Sequence, residues 1–256
     1  YNNDFIKEYS GTSVGSIICL LLNCGFDPVS NIFTNLYNSD NFLDSIKISN
    51  NFSIFNLLKD YGLIDIGMVI KIVSDMIMKK YGKIPTLLEL HQLSEKKLTI
   101  TVTNETKSKS EYLSFENYPD LSVIKAVSMS CSIPLIFKRI KHGNDYYIDG
   151  GLVDNYPVRG ISFHCKKTLG IVLLEKPSNN GTDNIINYLY KLSSLPIHSL
   201  TEASSMTNNP NIETLVIRLE NISLFDFNPD KEKKMKLLAL GYSFAELYDS
   251  RKYMTI

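Results

Sequence analysis

The chain has 256 residues, of which 44% are hydrophobic and 21% are charged, as in a globular protein with a substantial core. Lysine plus arginine and aspartate plus glutamate both total 27, so the net charge is zero and gives no reason to expect a nucleic acid partner. The sequence shows neither a signal peptide nor an uncharged apolar stretch of bilayer length, which predicts an intracellular protein, either cytoplasmic or peripherally bound to a membrane.

The cysteines predict no metal site. Cys19, Cys24, Cys131 and Cys165 are scattered, with no C-x-x-C pair and no histidine at ligand spacing. This pattern is typical of reduced thiols rather than of zinc ligands or a disulfide framework.

The first part of the chain predicts a strand followed mainly by helices. "DFIKEY", residues 4–9, is a strand candidate, and "VGSIICLLLNCG", residues 14–25, predicts a helix that is apolar on nearly every face. Gly25 is a natural residue to end that helix. Further helices are predicted at residues 27–37, 53–62, 65–82 and 86–93.

From residue 96 onward the pattern changes to strands alternating with helices. Strands are predicted at residues 96–104, 110–117, 145–149, 168–175 and 213–219. Helices are predicted at residues 121–132, 183–195 and 230–250. This order predicts an α/β fold with a mostly parallel central sheet flanked by helices. No linker or internal repeat interrupts it, so residues 1–256 are expected to form one domain.

A short motif near the start of the chain suggests a nucleophile. Gly11-Thr12-Ser13-Val14-Gly15 matches G-x-S-x-G between a predicted strand and a predicted helix. In a nucleophile elbow the serine occupies a tight turn, and the glycines on either side let the turn close. The first N–H groups of the helix then face a developing oxyanion. The alternative is an ordinary serine that caps the helix.

A serine nucleophile requires a base, and the sequence offers two kinds. None of the histidines lies in a special setting; they are His91, His142, His164 and His198. Asp149 in "DYYIDGGLVDNYPV" is the stronger candidate, because it ends an aromatic strand and the side-chain-free Gly150 and Gly151 follow it. Its alternative role is that of an aspartate in a simple turn.

Taken together, "SGTSVGS" and "DGGLVDNYPV" resemble the patatin-like phospholipase family, whose signature is a G-x-S-x-G elbow and a later D-G-[AG]. "AVSMSCSIPLIFKRI" is similar to the family's small-residue helix; its matching positions are Ser130, Ile133, Pro134 and Phe137. The resemblance covers residues 8–158. It implies a three-layer sandwich and a dyad of Ser13 as nucleophile and Asp149 as base, without a catalytic histidine, calcium or another cofactor.

The resemblance also predicts where the oxyanion hole lies. Family members carry a glycine-rich loop before the elbow, and its backbone N–H groups form the hole. "YNNDFIKEY", which precedes the elbow here, contains no glycine. The oxyanion hole is therefore expected upstream of Tyr1.

The expected function is a lipid acyl hydrolase acting on phospholipids or related acyl lipids. Transient membrane contact is expected through "PLIF", residues 134–137, and "SSLPI", residues 193–197. One alternative is an esterase that uses Ser13 with His164 or His198. A second is a non-catalytic relative that binds lipid or protein, because the glycine-rich loop is missing from this sequence.

Overall fold

The computed structural model describes residues 5–28, 30, 34, 61–162, 167–175, 185–206, 209–219 and 230–254. Their strands are β1 (Glu8–Thr12), β2 (Gly62–Ile64), β3 (Lys97–Asn104), β4 (Lys109–Leu113), β5 (Leu135–Phe137), β6 (Ile140–His142), β7 (Asp145–Asp149), β8 (Thr168–Glu175) and β9 (Ile212–Leu219). Their α-helices are α1 (Val14–Asn23), α2 (Gly67–Tyr81), α3 (Leu87–Ser94), α4 (Val123–Ser130), α5 (Ile185–Ser205) and α6 (Lys231–Met254). Two 3₁₀ turns cover Gly150–Leu152 and Val158–Gly160.

Strand β3 is the centre of a five-stranded sheet. β1 lies parallel to one edge of β3 up to Thr101, and β7 lies antiparallel to the same edge from Val102 onward. β4 pairs with the opposite edge, and β6 extends the sheet beyond β7. The pairs β2–β5 and β8–β9 are parallel. The predicted α/β fold is confirmed, with a central sheet that mixes parallel and antiparallel pairs.

The two faces of β3 have different surroundings. Leu98, Ile100 and Val102 are buried in the main hydrophobic core, which also contains apolar side chains of α1, α2, α3 and α4. Because side chains alternate along a strand, Thr99, Thr101 and Thr103 are buried on the other face. The segment that follows β7 covers this polar face, with Gly150 close to Thr101 and Gly160 close to Thr99.

Helices α2 and α3 form where the sequence predicts them, and local signals set their ends. α2 ends at Gly82, which has a left-handed conformation with φ 72°. α3 begins with a capping box, in which the Thr86 hydroxyl accepts from the Glu89 N–H while the Glu89 carboxylate accepts from the Thr86 N–H. None of the helices in the described ranges is long and apolar enough to cross a bilayer.

Several predicted boundaries are wrong, because contacts distant in sequence decide them. The first strand occupies Glu8–Thr12 rather than residues 4–9, since its pairing with β3 continues as far as Thr12. Gly62, predicted within a helix, begins β2. α5 continues through Pro196, which has no N–H to donate to the carbonyl of Leu192, and both residues are exposed. Most of the predicted helix at 27–37, and residues 53–60 of the next, lie outside the described residues.

Candidate active site

Ser13 lies on the turn between β1 and α1 in a backbone conformation that is uncommon for a residue other than glycine. Its φ is 51° and its ψ is −129°. It occupies the N-cap position of α1, but its side chain makes no capping hydrogen bond. The hydroxyl is therefore available to a group outside the helix, and strained backbone of this kind clusters at functional sites.

The two glycines around Ser13 differ in what they permit. A Cβ at Gly11 would lie 2.5 Å from the carbonyl oxygen of Gly15 and 2.8 Å from the backbone nitrogen of Ser16. Gly11 therefore allows the first turn of α1 to pass directly over the end of β1. A Cβ at Gly15 would have no neighbour within 4 Å. The expectation that both flanking positions must lack a side chain is thus met at Gly11 and wrong at Gly15.

We expect Gly11→Ala to lower the free energy of unfolding by about 1–3 kcal/mol, because the added methyl group meets backbone atoms that cannot move aside. Gly15→Ala is the matched control, and we expect it to leave stability unchanged or raise it by up to about 1 kcal/mol. Urea unfolding of both variants measures the difference. Equal stabilities of the two variants would contradict the close approach of α1 to β1.

Asp149 ends β7 and lies directly beside the serine. The hydroxyl of Ser13 donates to Oδ2 of Asp149 at 2.6 Å. The backbone N–H of Gly151 donates to Oδ1 at 2.7 Å, and the backbone N–H of Asp149 donates to the carbonyl of Ser132 at 2.9 Å. The hydroxyl of Thr103 donates to the Asp149 carbonyl at 2.9 Å. Both side-chain oxygens and both backbone groups of Asp149 are therefore fixed.

The topology of the sheet explains why these two residues meet. Thr12 pairs with Thr101 and Asp149 pairs with Val102, on the same edge of β3. Since β1 and β7 run toward each other along this edge, their carboxyl ends meet at two consecutive residues of β3. Ser13 is the first residue beyond β1, so it lies against the last residue of β7.

Burial changes the acid–base behaviour of Asp149, which is 5% exposed. It raises the pKa of the carboxyl group from its ordinary value to about 6, although the hydrogen bonds from Ser13 and Gly151 lower the pKa. The carboxylate is thus ionised near neutral pH and is a stronger base than a solvated aspartate. Proton transfer from the Ser13 hydroxyl is favoured by this shift.

Gly150 lets the chain turn closely around the end of the sheet. A Cβ at Gly150 would lie 2.3 Å from the carbonyl oxygen of Thr101 and 3.1 Å from Cγ2 of Thr12. Only a residue without a side chain fits this contact. This close turn also brings the Gly151 N–H within hydrogen-bond distance of the Asp149 carboxylate.

Asp154, which no sequence motif marks as a site residue, fixes the segment that follows Asp149. The hydroxyl of Tyr112 donates to Oδ2 of Asp154 at 2.6 Å, and the hydroxyl of Thr12 donates to the Asp154 carbonyl at 2.9 Å. Burial raises the pKa of Asp154. These bonds join the segment to β4 and β1. The aspartate is visible in "DGGLVDNYPV", but its partner Tyr112 lies in a distant strand.

A cysteine borders the site without competing with the serine. Sγ of Cys131 lies 3.9 Å from the hydroxyl oxygen of Ser16. Burial, together with the negative charge of Asp149, raises the pKa of this thiol well above its ordinary value. The thiol is therefore protonated at neutral pH and is a poor nucleophile. Cys19, Cys24 and Cys131 are free cysteines, and Cys165 lies outside the described residues.

Among the described residues, the side chain that accepts from the Ser13 hydroxyl is Asp149 and not a histidine. His164 lies outside the described residues, and His198 lies on α5. His91 stacks on Phe115 with ring centroids 3.8 Å apart. In the part of the chain that the structure describes, no group of three or more His, Cys, Asp or Glu side chains could hold a metal ion.

Comparison with known proteins gives matches over most of this chain. The family model described as "Patatin-like phospholipase" matches residues 3–161, a range that contains both Ser13 and Asp149. A protein named "Probable lipid hydrolase 463L" from Invertebrate iridescent virus 6 is 29% identical over 237 residues, which is 90% of this chain and 79% of that protein. An uncharacterized protein of Acanthamoeba polyphaga mimivirus is 28% identical over 246 residues, which is 92% of this chain and 80% of its own length.

Among solved structures, VipD from Legionella pneumophila is similar to this chain with a TM-score of 0.52 and 18% sequence identity. The similarity covers 95% of this chain, which spans 61% of the VipD chain. At this level of identity the likeness shows a shared fold.

Proposed function

Because the chain belongs to the patatin-like phospholipase family, we propose that it is a lipid acyl hydrolase of the phospholipase A type. It cleaves ester bonds of phospholipids or related acyl lipids through an acyl-serine intermediate. Ser13 is the nucleophile and Asp149 is the general base. The observation that carries the proposal is the 2.6 Å hydrogen bond from the Ser13 hydroxyl to the buried Asp149 carboxylate.

In the acylation step, the oxygen of Ser13 attacks the ester carbonyl carbon while Oδ2 of Asp149 accepts the hydroxyl proton. The tetrahedral intermediate then collapses, and Asp149 returns the proton to the departing alcohol oxygen. The ester C–O bond breaks as the new bond to Ser13 remains, so the products are a free alcohol and an acyl-serine. The short existing hydrogen bond supports this role, because the proton has only a small distance to travel.

In the deacylation step, a water molecule attacks the acyl-serine carbonyl and gives a proton to Asp149. The bond between the carbonyl carbon and the oxygen of Ser13 breaks, Asp149 returns the proton to the serine oxygen, and a fatty acid leaves. One carboxylate thus acts as base in the first half of each step and as acid in the second half. Its raised pKa, about 6, suits both directions of transfer.

The chain's own contribution to oxyanion stabilisation in this proposal is the amino end of α1. Val14 and Gly15 are its first two residues, and N–H groups at these positions have no acceptor within a helix. They adjoin Ser13, so they lie near the ester carbonyl oxygen on which negative charge develops during attack, and the helix dipole places its positive end there. The additional donors expected upstream of Tyr1 stay a prediction.

Apolar side chains near the site support an acyl-lipid substrate. Val14, directly after the nucleophile, is 61% exposed, and Val153, four residues after Asp149, is 42% exposed. Of the two segments predicted to touch membranes, residues 193–197 include Leu195, which is 55% exposed, whereas Phe137 in residues 134–137 is buried. Exposed aliphatic side chains of this kind favour contact with acyl chains, and transient binding to a lipid surface is part of the proposal.

The test uses vesicles of phosphatidylcholine that carries a fluorescent acyl chain, and it follows the release of free fatty acid. The wild-type protein is expected to release fatty acid and to react covalently with a fluorophosphonate probe. Ser13→Ala, which removes the nucleophilic oxygen, is expected to do neither. Wild-type protein that binds these vesicles without hydrolysis and without labelling would instead support the non-catalytic, lipid-binding alternative.

A further inference from the structure

The backbone of Ser13 is held by a side chain from another helix. The N–H of Ser13 donates to the hydroxyl oxygen of Ser130 at 2.9 Å, and that hydroxyl donates to the carbonyl of Thr101 at 2.7 Å. Ser130 is the last residue of α4 and is fully buried. One hydroxyl therefore connects the first residue beyond β1 with the last residue of β3 that pairs with β1.

This connection lies where β3 changes its partner from β1 to β7. Beyond Thr12 the chain leaves the sheet, so the Ser13 N–H no longer faces a strand. A backbone N–H that is shielded from water and has no acceptor is costly, and the Ser130 hydroxyl provides the acceptor for the partly buried N–H of Ser13. Since that hydroxyl is itself anchored to Thr101, it fixes the position of Ser13 relative to the sheet.

The end of α4 also holds the other member of the pair. The carbonyl of Ser132, two residues beyond Ser130, accepts from the N–H of Asp149 at 2.9 Å. The same short segment thus contacts the backbone of Ser13 through a side chain and the backbone of Asp149 through a carbonyl. The relative position of the two residues depends on both contacts.

We propose that Ser130 is a positioning residue for the nucleophile: its hydroxyl fixes the backbone of Ser13 so that the Ser13 hydroxyl points at the Asp149 carboxylate. This inference rests on the proposed function of the site. Without the bond to Ser130, the strained backbone of Ser13 can relax, and the Ser13 hydroxyl moves away from Oδ2. Small losses of alignment lower the rate of the chemical step much more than they weaken substrate binding.

Ser128 provides a matched control on the same helix. Its hydroxyl donates to the carbonyl of Ile124 at 2.8 Å, a bond within α4, and the residue is 8% exposed. Ser130→Ala and Ser128→Ala each remove one largely or fully buried hydroxyl from α4. They differ in that only Ser130 contacts the nucleophile.

The experiment measures kcat, KM, the acid limb of the pH profile and Tm for both variants on a soluble carboxylic ester. Ser130→Ala is expected to lower kcat about 10-fold to 100-fold with KM nearly unchanged. The hydrogen bond from Ser13 lowers the pKa of Asp149, so its weakening is expected to shift the acid limb to higher pH. Ser128→Ala is expected to keep the wild-type kcat and acid limb.

Ser130→Cys is a second variant in case Ser130→Ala does not fold, because it keeps a similar shape with a weaker donor and acceptor. It is expected to give a kcat between those of the wild type and Ser130→Ala. A folded Ser130 variant with wild-type kcat and acid limb, or equal losses in Ser130→Ala and Ser128→Ala, would overturn the inference. Wild-type protein that neither hydrolyses esters nor reacts with a fluorophosphonate would instead overturn the proposed function itself.

Discussion

Asp149→Asn is expected to lower kcat for a lipid ester by about 10²- to 10⁴-fold, the range over which general-base assistance contributes to a rate. An amide has nearly the shape of a carboxylate but cannot accept the proton of Ser13. Its oxygen can still accept from the Gly151 N–H, so the turn after β7 is expected to keep its form. Steady-state hydrolysis of labelled phosphatidylcholine measures the loss.

Asp145→Asn is the control for this variant. Asp145 lies at the opposite end of the same strand and pairs with Lys107 at 2.6 Å. We expect the Asp145→Asn variant to keep the wild-type kcat. The Tm of Asp149→Asn should be equal to or above that of the wild type, because the substitution removes a buried charge whose ionisation opposes folding. Unchanged turnover in a folded Asp149→Asn protein would remove the basis for the dyad.

The rate of hydrolysis is expected to fall tenfold for each pH unit below about 6, so that activity at pH 4 is roughly 100-fold lower than at neutral pH. Only the ionised carboxylate accepts the Ser13 proton, and burial raises its pKa to about 6. As pH falls through this value, Asp149 binds a proton and the base is lost. The pH dependence of kcat/KM on a soluble ester, between pH 4 and 8, measures the effect.

As pH rises, the free energy of unfolding should fall while the activity increases. Asp149 has a higher pKa in the folded state than in the unfolded chain, so the folded state binds more protons between about pH 4 and 6. The contribution of Asp149 to stability is therefore present at low pH and declines as pH rises through this interval. The Asp149→Asn variant has no carboxylate at this position, so it should lack this pH-dependent contribution to stability.

A histidine base would titrate in a similar range, so two variants separate the possibilities. His198→Asn and His164→Asn are expected to keep both the rate and the midpoint of the acid limb. A midpoint near pH 4 in the wild type would indicate a solvated carboxylate and contradict the burial argument. Loss of the limb in either folded histidine variant would favour a Ser–His–Asp mechanism.

Local patterns in the sequence are sufficient to identify the elements whose residues carry their own signal. The periodicity of residues 65–82 and 86–93 predicts α2 and α3, because capping groups and a terminal glycine act within a few residues. The alternation of residues 96–104 predicts β3. The short strands β2, β5 and β6 have three residues each and pair with distant segments, so no local pattern indicates them.

The features of the candidate site likewise divide into those that the local sequence indicates and those that depend on distant contacts. The sequence identifies Ser13 and Asp149, because the glycines beside Ser13 and after Asp149 mark tight turns. It does not indicate that Gly15 faces open space, nor that Asp154 bonds to Tyr112. These facts depend on which atoms surround each residue after the chain has folded.

The sequence by itself therefore determined the α/β fold, the family and the two residues of the proposed dyad. The tertiary structure alone decided that β1 and β7 share one edge of β3 and meet at Thr101 and Val102. It also decided that the Ser130 hydroxyl supports the turn at Ser13. The reason is physical: turns and helix ends depend on neighbouring residues, whereas strand register and buried hydrogen bonds join residues that are distant in the chain.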